Sequence, residues 1–309
     1  MKTTTNNILL AIVGATATGK TDLAIELAKR YDTAILSFDG RQFYRQMNIG
    51  TAKPTESQLQ TVPHYFINNK HIEELYTVAD FEQEALKCLE MLFEKHKLVV
   101  AVGGSGLFLN ALSYGLDPIP AVSQEIVNEL ESRLAANGLA DLLKQLKTVD
   151  FDSYQQLDTK NPRRVVRALS VFLATGNPFS QYKTKQAQAR PFQTITVGID
   201  YERNALYEKI NYRVELMLQA GLEQEAKQLE QFKHLSALQT VGYTEFFEYW
   251  EGKHSYTKAV ELIKQHSRNY AKRQTTWFKK ENISLWLNGK DSLEQKTKQV
   301  TAFLSSLNL

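Results

Sequence analysis

The chain has 309 residues, 43% of them hydrophobic, and a formal net charge of only +3. That length can bury a sizeable core in one large domain or two, and the composition is that of a soluble globular protein. No apolar stretch approaches a membrane span, the opening MKTTTNN has no signal-peptide core, and a lone cysteine, Cys88, excludes a disulfide framework or a cysteine metal cluster; the expectation is a cytoplasmic protein without a membrane partner.

The first predicted element is a fully buried strand, Ile8 to Val13, which runs into GATATGKT, Gly14 to Thr21, and then into a helix, Asp22 to Arg30. This is the phosphate-binding pattern G-x-x-x-x-G-K-[ST] in its proper strand-to-helix context. Gly14 and Gly19 let backbone amides turn inward, where the helix dipole favours an anion. Lys20 is placed to reach the outer phosphates and Thr21 to hold Mg²⁺. The whole loop, Gly14, Ala15, Thr16, Ala17, Thr18, Gly19, Lys20 and Thr21, is the expected phosphate cradle.

Three more apolar runs read as strands of one parallel sheet: Thr33 to Phe38, Leu98 to Val102 and Thr194 to Ile199. They end in Asp39, in Gly103-Gly104-Ser105-Gly106, and in Asp200. Ligands in open α/β sheets lie beyond the carboxyl ends of the strands, so Asp39 and Ser105 are expected at the same crevice as the phosphate loop. From the residues alone Asp39 is a Mg²⁺ ligand, a general base or a helix cap. Crossover helices are predicted over Thr77 to His96 and Gly106 to Tyr114. His64, beside Tyr65 and Phe66, reads as a packed histidine.

From Gly115 to about Arg190 the pattern turns helical, with segments at Gln124 to Asn137, Leu139 to Lys147 and Asn161 to Thr175. Because the sheet pattern resumes afterwards, residues 115–190 are predicted to be a helical insertion in a core formed by residues 1–114 and 191–309. Arg163 and Arg167 share a helix face, and arginine forks suit phosphates; surface ion pairing is the plainer alternative. Further helices are predicted from Arg203 through Phe232 and from Ser255 to Lys280, followed by the apolar run Ile283 to Leu287. Between Lys253 and Lys280 eight basic residues are opposed only by Glu261 and interleaved with Tyr270, Trp277 and Phe278, which suggests a polyanionic partner.

Taken together the motifs resemble the tRNA dimethylallyltransferase family. The resemblance rests on GATATGKT, DGRQFY at Asp39 to Tyr44 with Ile49 to Pro54, VADF at Val78 to Phe81, GGSGLF at Gly103 to Phe108, NPRRVVRAL at Asn161 to Leu169, VGY at Val241 to Tyr243, and AKRQTTWFKK at Ala271 to Lys280. Several positions depart from the family pattern: Ala15 replaces proline, Gly40 serine and Ser105 threonine, and Thr244-Glu245 stands where Arg-Gln is common.

The resemblance implies a phosphate-loop α/β fold with a helical insertion domain for tRNA. It also implies transfer of a dimethylallyl group from dimethylallyl diphosphate to the exocyclic amine of the adenine beside the anticodon, in tRNAs reading codons that start with U. Under it the loop holds a diphosphate leaving group with Mg²⁺ on Thr21, Asp39 is the general base, Lys20, Thr21 and Ser105 complete the catalytic set, and Gln42 reads the flipped base. The implied contacts to the anticodon stem-loop are Asp39, Gly40, Arg41, Gln42, Ser105, Pro162, Arg163, Arg164, Val165, Val166, Gln239, Thr240, Val241, Gly242, Tyr243, Thr244, Lys272, Arg273, Gln274, Thr275, Thr276, Trp277, Phe278 and Lys279, in a monomeric enzyme. The rival readings are an adenylate isopentenyltransferase acting on a free nucleotide, a small-molecule kinase using ATP, and a non-enzymatic RNA-binding protein. The helical insertion and KRQTTWFKK favour a large RNA acceptor.

Overall fold

The computed structural model describes residues 7–184 and 186–308, and the chain divides into two compact units, residues 1–113 with 190–309 and residues 114–189. The first unit is built on six parallel strands, β1 (Ile8–Gly14), β2 (Ile35–Ser37), β3 (His64–Tyr65), β4 (Leu98–Val102), β5 (Gln193–Asp200) and β6 (Leu285–Asn288), in the order β3-β2-β4-β1-β5-β6. β1 is central, and its alternation fills both faces. Leu10 and Ile12 pack with α1 (Lys20–Arg30), while Leu9, Ala11 and Val13 face the other layer with Phe81 and Leu89.

The helices between strands supply the crossovers. α2 (Glu56–Leu59) is a single capped turn, whereas α3 (Val78–Phe93) opens on a capping box in which Thr77 and Asp80 satisfy each other's amides. α4 (Gly106–Tyr114) follows the GGSG turn directly after β4.

The second unit contains α5 (Gln124–Asn137), α6 (Leu139–Val149), α7 (Phe151–Gln156), α8 (Pro162–Thr175) and α9 (Phe179–Tyr182). α8 packs on α5 and α6 through Val165, Val166 and Leu169 against Leu130, Leu142 and Leu146. Asp150 ties the unit together by accepting from the amides of both Ser153 and Ser180.

Back in the first unit come α10 (Arg203–Gln219), α11 (Leu222–Gln228), α12 (Thr244–Trp250), α13 (Tyr256–Phe278) and α14 (Leu293–Ser306). The helical stretch predicted from Arg203 through Phe232 is present and is broken at Gly221, which takes the left-handed conformation at φ 100, with a 3-10 turn at Glu230–Phe232 closing it. The run Ile283 to Leu287 becomes edge strand β6, paired with β5 from Val197↔Leu285 onwards. No helix among the described residues is long and apolar enough to cross a membrane.

Candidate active site

Beyond the carboxyl ends of β1, β2 and β4 lies a cavity of about 540 Å³, and its walls come from the phosphate loop, the segment after Asp39, the GGSG turn, α10, the segment before α12, and α13. In the loop, Gly19 caps α1 in the left-handed conformation at φ 83. The first-turn amides of α1 have no intrahelical acceptor and form an anion cradle. Thr18 Oγ1 donates to the Ala15 carbonyl at 2.8 Å, and Lys20 Nζ donates to the same oxygen at 2.6 Å. Burial, with the Arg213 guanidinium nearby, draws the Lys20 ammonium down to about 7 despite the attraction of Asp39.

Asp39 also faces the cavity. Burial raises its carboxyl above the usual carboxylate range, opposed by a hydrogen bond from the Arg41 amide (3.1 Å) and by Lys20, Arg41 and Arg213. A carboxylate raised in this way is a better proton acceptor. Arg213, from the middle of α10, is a member of this charge cluster that no sequence motif marked. Its Nη1 lies 3.4 Å from Thr16 Oγ1, and it interacts with Asp39 and Asp22. Its one trace in the sequence is that Arg213 keeps register with the apolar stripe Leu206, Ile210 and Met217, a pattern too common to mark it out.

The C-terminal motif closes the site. Gln274, only 6% exposed, accepts from the Thr16 amide at 2.8 Å and donates to the Gly104 carbonyl at 2.9 Å. The GGSG turn is glycine-rich because α13 lies against it. A Cβ on Gly104 would sit 2.1 Å from Gln274 Nε2, and one on Gly106 the same distance from Trp277 Nε1. Gly40, where the family pattern has serine, has Phe108 3.1 Å from the position of a Cβ, so a side chain there would crowd that ring.

Several expected contacts sit elsewhere than an open RNA interface would require. Ser105 is not among the residues lining the cavity; its Oγ accepts from the Gly40 amide and also meets Tyr270. The Gln42 amide lines the cavity but is held by the Thr51 and Ala52 carbonyls and by Ser37 Oγ. Val165 and Val166 are core residues of the helical unit, on the inward side of α8, while Arg163 and Arg164 are exposed beside Pro162. Tyr243 is wholly buried, and its hydroxyl donates to Glu225. Phe278 is in the sheet core.

The 3.6-residue period of α13 splits its motif between two faces. Arg273 and Gln274 line the cavity together with Tyr270; Lys272, Thr275, Thr276 and Lys279 line a separate hollow with Tyr207 and Trp286. Much of the basic segment is already paired: Lys253 with Glu251, Lys258 with Glu261, Lys264 with Glu215, Lys279 with Asp200, and Arg268 with Asn211. Lys272, Arg273 and Lys280 make no ion pair among the described residues. Gln239, Thr240, Val241, Gly242 and Thr244 line the cavity as a group.

The donor set fits a metal only in one way. Among the described residues no cluster of three histidine, cysteine or acidic side chains could hold an ion. The Thr21 hydroxyl, which lines the cavity and makes no hydrogen bond among those residues, suits a Mg²⁺ carried mainly by phosphate oxygens and water.

This chain matches the family model described as IPP transferase over residues 42–281. A tRNA dimethylallyltransferase from Cytophaga hutchinsonii is 43% identical over 92% of this chain and 93% of its own length, and one from Christiangramia forsetii is 40% identical over 97% and 98%. Among solved structures, the tRNA isopentenylpyrophosphate transferase of Bacillus halodurans superimposes with a TM-score of 0.71 at 33% identity, covering 97% of this chain and 96% of that one. A eukaryotic dimethylallyltransferase acting on tRNA gives 0.77 at 25% identity over 92% of this chain and 74% of that one. Near-complete coverage by relatives at this identity, on a fold with the same phosphate-loop core, places the chain in the IPP transferase family.

Proposed function

We propose that the protein transfers the dimethylallyl group of dimethylallyl diphosphate to the exocyclic amine of the adenine beside the anticodon, in tRNAs reading codons that start with U. The observation that carries this reading is one cavity holding a phosphate cradle and, beside it, a buried carboxylate of raised basicity. The allylic C–O bond breaks as the N–C bond forms, the diphosphate departs, and the amine proton passes to Asp39. Negative charge develops on the departing oxygens, where the α1 amides, Lys20 and Arg213 stabilise it more strongly than in the ground state. Mg²⁺, held through Thr21 and the diphosphate, would supply further charge neutralisation there.

The adenine has to leave its stack to enter the cavity, which is less costly in an anticodon loop than in a duplex. Gln42 and the cavity-lining Gln239, Thr240, Val241, Gly242 and Thr244 would meet it there. The helical unit, with exposed Arg163 and Arg164, and Lys272 supply the longer-range grip on the RNA, while Arg273 serves the cavity that it lines. Ser105 acts by holding the Gly40 amide beside Asp39. On this reading the enzyme works as a monomer in the cytoplasm, with tRNA as its partner.

The test is incubation with labelled dimethylallyl diphosphate and either bulk tRNA or AMP, followed by nucleoside analysis. Label in a prenylated adenosine from tRNA supports the proposal; label only in AMP, or none in nucleoside, overturns it.

A further inference from the structure

α13 runs past the cavity as a ruler. Gln274 touches the phosphate loop, and one turn earlier Tyr270 lies beside Asp39 and Ser105. One turn earlier again His266 also lines the cavity. At 1.5 Å per residue, its level is about 12 Å along the helix from that of Gln274. With the diphosphate at the Gln274 end and the reacting amine near Asp39, the sugar–phosphate side of the acceptor falls at the level of His266.

His266 is held in a defined orientation. Its Nδ1 lies 2.6 Å from Glu245 Oε1, and the other oxygen of Glu245 accepts from the Gly242 amide at 2.8 Å. Glu245 is 2% exposed whereas the His266 side chain is 42% exposed. A carboxylate oxygen only accepts, so the proton resides on Nδ1 and Nε2 is the atom left for a ligand. Among the described residues Nε2 has no partner. Glu245 thus holds His266 in place at the acceptor end of the cavity.

We propose that His266 contacts the sugar–phosphate of a nucleotide flanking the target adenine through Nε2, with Glu245 as its positioning residue. The proposal rests on the RNA-acceptor reading above. Two oxygens share this chemistry: as imidazolium, Nε2 donates to a phosphate oxygen; as neutral imidazole it accepts from a ribose 2′-hydroxyl.

The experiment is steady-state prenylation of an anticodon stem-loop by wild type, His266→Ala and Glu245→Gln. The RNAs are unmodified, methylphosphonate-substituted, or 2′-deoxy at either nucleotide flanking the target. Loss of such a bond is expected to raise the RNA KM of His266→Ala about tenfold while leaving the donor KM in place. Glu245→Gln falls between the two. One modified RNA should cost wild type the same factor and cost His266→Ala nothing further, and which one does so identifies phosphate or ribose. Removing His266 leaves the buried Glu245 without its partner, so the double variant Glu245→Gln/His266→Ala, which carries no such charge, must show the same rise. An unchanged RNA KM in that double variant, or modified RNAs that cost His266→Ala as much as wild type, overturns the proposal. A wild-type enzyme that prenylates AMP but no RNA overturns the acceptor reading itself, and this inference with it.

Discussion

Lys20 and Asp39 stand a short way apart with their ordinary acidities displaced toward each other, the ammonium down to about 7 and the carboxyl upward, both chiefly by burial. A diphosphate bound beside Lys20 restores the charge that burial suppresses, so its pKa rises in the complex. Donor affinity should therefore be constant below pH 7 and weaken above it, by up to about tenfold per pH unit. Titration calorimetry at pH 8 in buffers of different ionisation enthalpy should report proton uptake on binding a non-hydrolysable donor analogue; zero uptake contradicts this account of Lys20. Asp39 has the opposite sign: its active form is the carboxylate, so turnover falls as pH drops through its raised pKa. Asp39→Asn keeps the shape and removes the base, with an expected rate loss of about 10²–10⁴ and near-native RNA affinity. Restoration of that rate by Mg²⁺ alone would assign Asp39 to the metal instead. At this scale the sequence was legible wherever a motif concentrates chemistry, as in the phosphate loop and Asp39. It was not legible for Arg213, Glu245 and His266, because each is a single residue within an ordinary helix and gains its setting only from packing.

α13 shows how one element can serve two surfaces, because adjacent residues on a helix point about 100° apart. Arg273 turns to the cavity near Gln274, and Lys272 to the hollow shared with Trp286. Arg273→Ala is accordingly expected to raise the donor KM. Lys272→Ala should leave the donor KM alone and flatten the dependence of log affinity for RNA on log salt by about 0.7. Equal effects of the two substitutions on both quantities would contradict the split. On α8, Arg163 and Arg164 are exposed and make no ion pair among the described residues. Their joint replacement should flatten the same slope by about 1.4 if each meets one phosphate; a slope that does not move would place the RNA elsewhere. Element by element, β1 and β4 were readable because they are continuous apolar runs buried on both faces, and β5 by its buried β-branched centre. β3 has only two residues and β6 four, too few for any periodicity, and they are strands only because β2 and β5 offer them a ladder. The stretch from Arg203 through Phe232 is helical as its composition suggests, but the break at Gly221, where one left-handed glycine divides a run of good helix formers, was not marked.

Across the whole molecule, the site is assembled from segments far apart in the chain. Gln274 and Thr16 are 258 positions apart, and Glu225 accepts from the amides of Asn48, Ile49 and Gly50 across more than 170. Gln274→Ala would leave the buried Gly104 carbonyl without this partner, a cost of about 1–3 kcal/mol, and free the Thr16 amide at the cavity wall at a smaller cost. We expect a matching fall in unfolding free energy by urea titration, together with a weaker grip on the donor, since the same substitution frees the phosphate loop. A stability within 0.5 kcal/mol of wild type, about the noise of an inert surface change, would mean that the clasp is not energetically important. The phosphate-loop architecture was predictable from local pattern, but this closure was not, because a hydrogen bond between the first and last parts of a chain leaves no local trace in either.

That closure has a consequence for the protein during its own synthesis. The phosphate loop emerges from the ribosome first, yet its Gln274 partner follows 258 residues later, at about 5–20 residues per second a delay on the order of 10 to 50 s. Throughout that interval the nascent chain carries an anion cradle whose wall is missing, and a chain released early keeps the motif without the site. A polypeptide must therefore be translated past residue 274 before the chamber's wall at Thr16 and Gly104 can close.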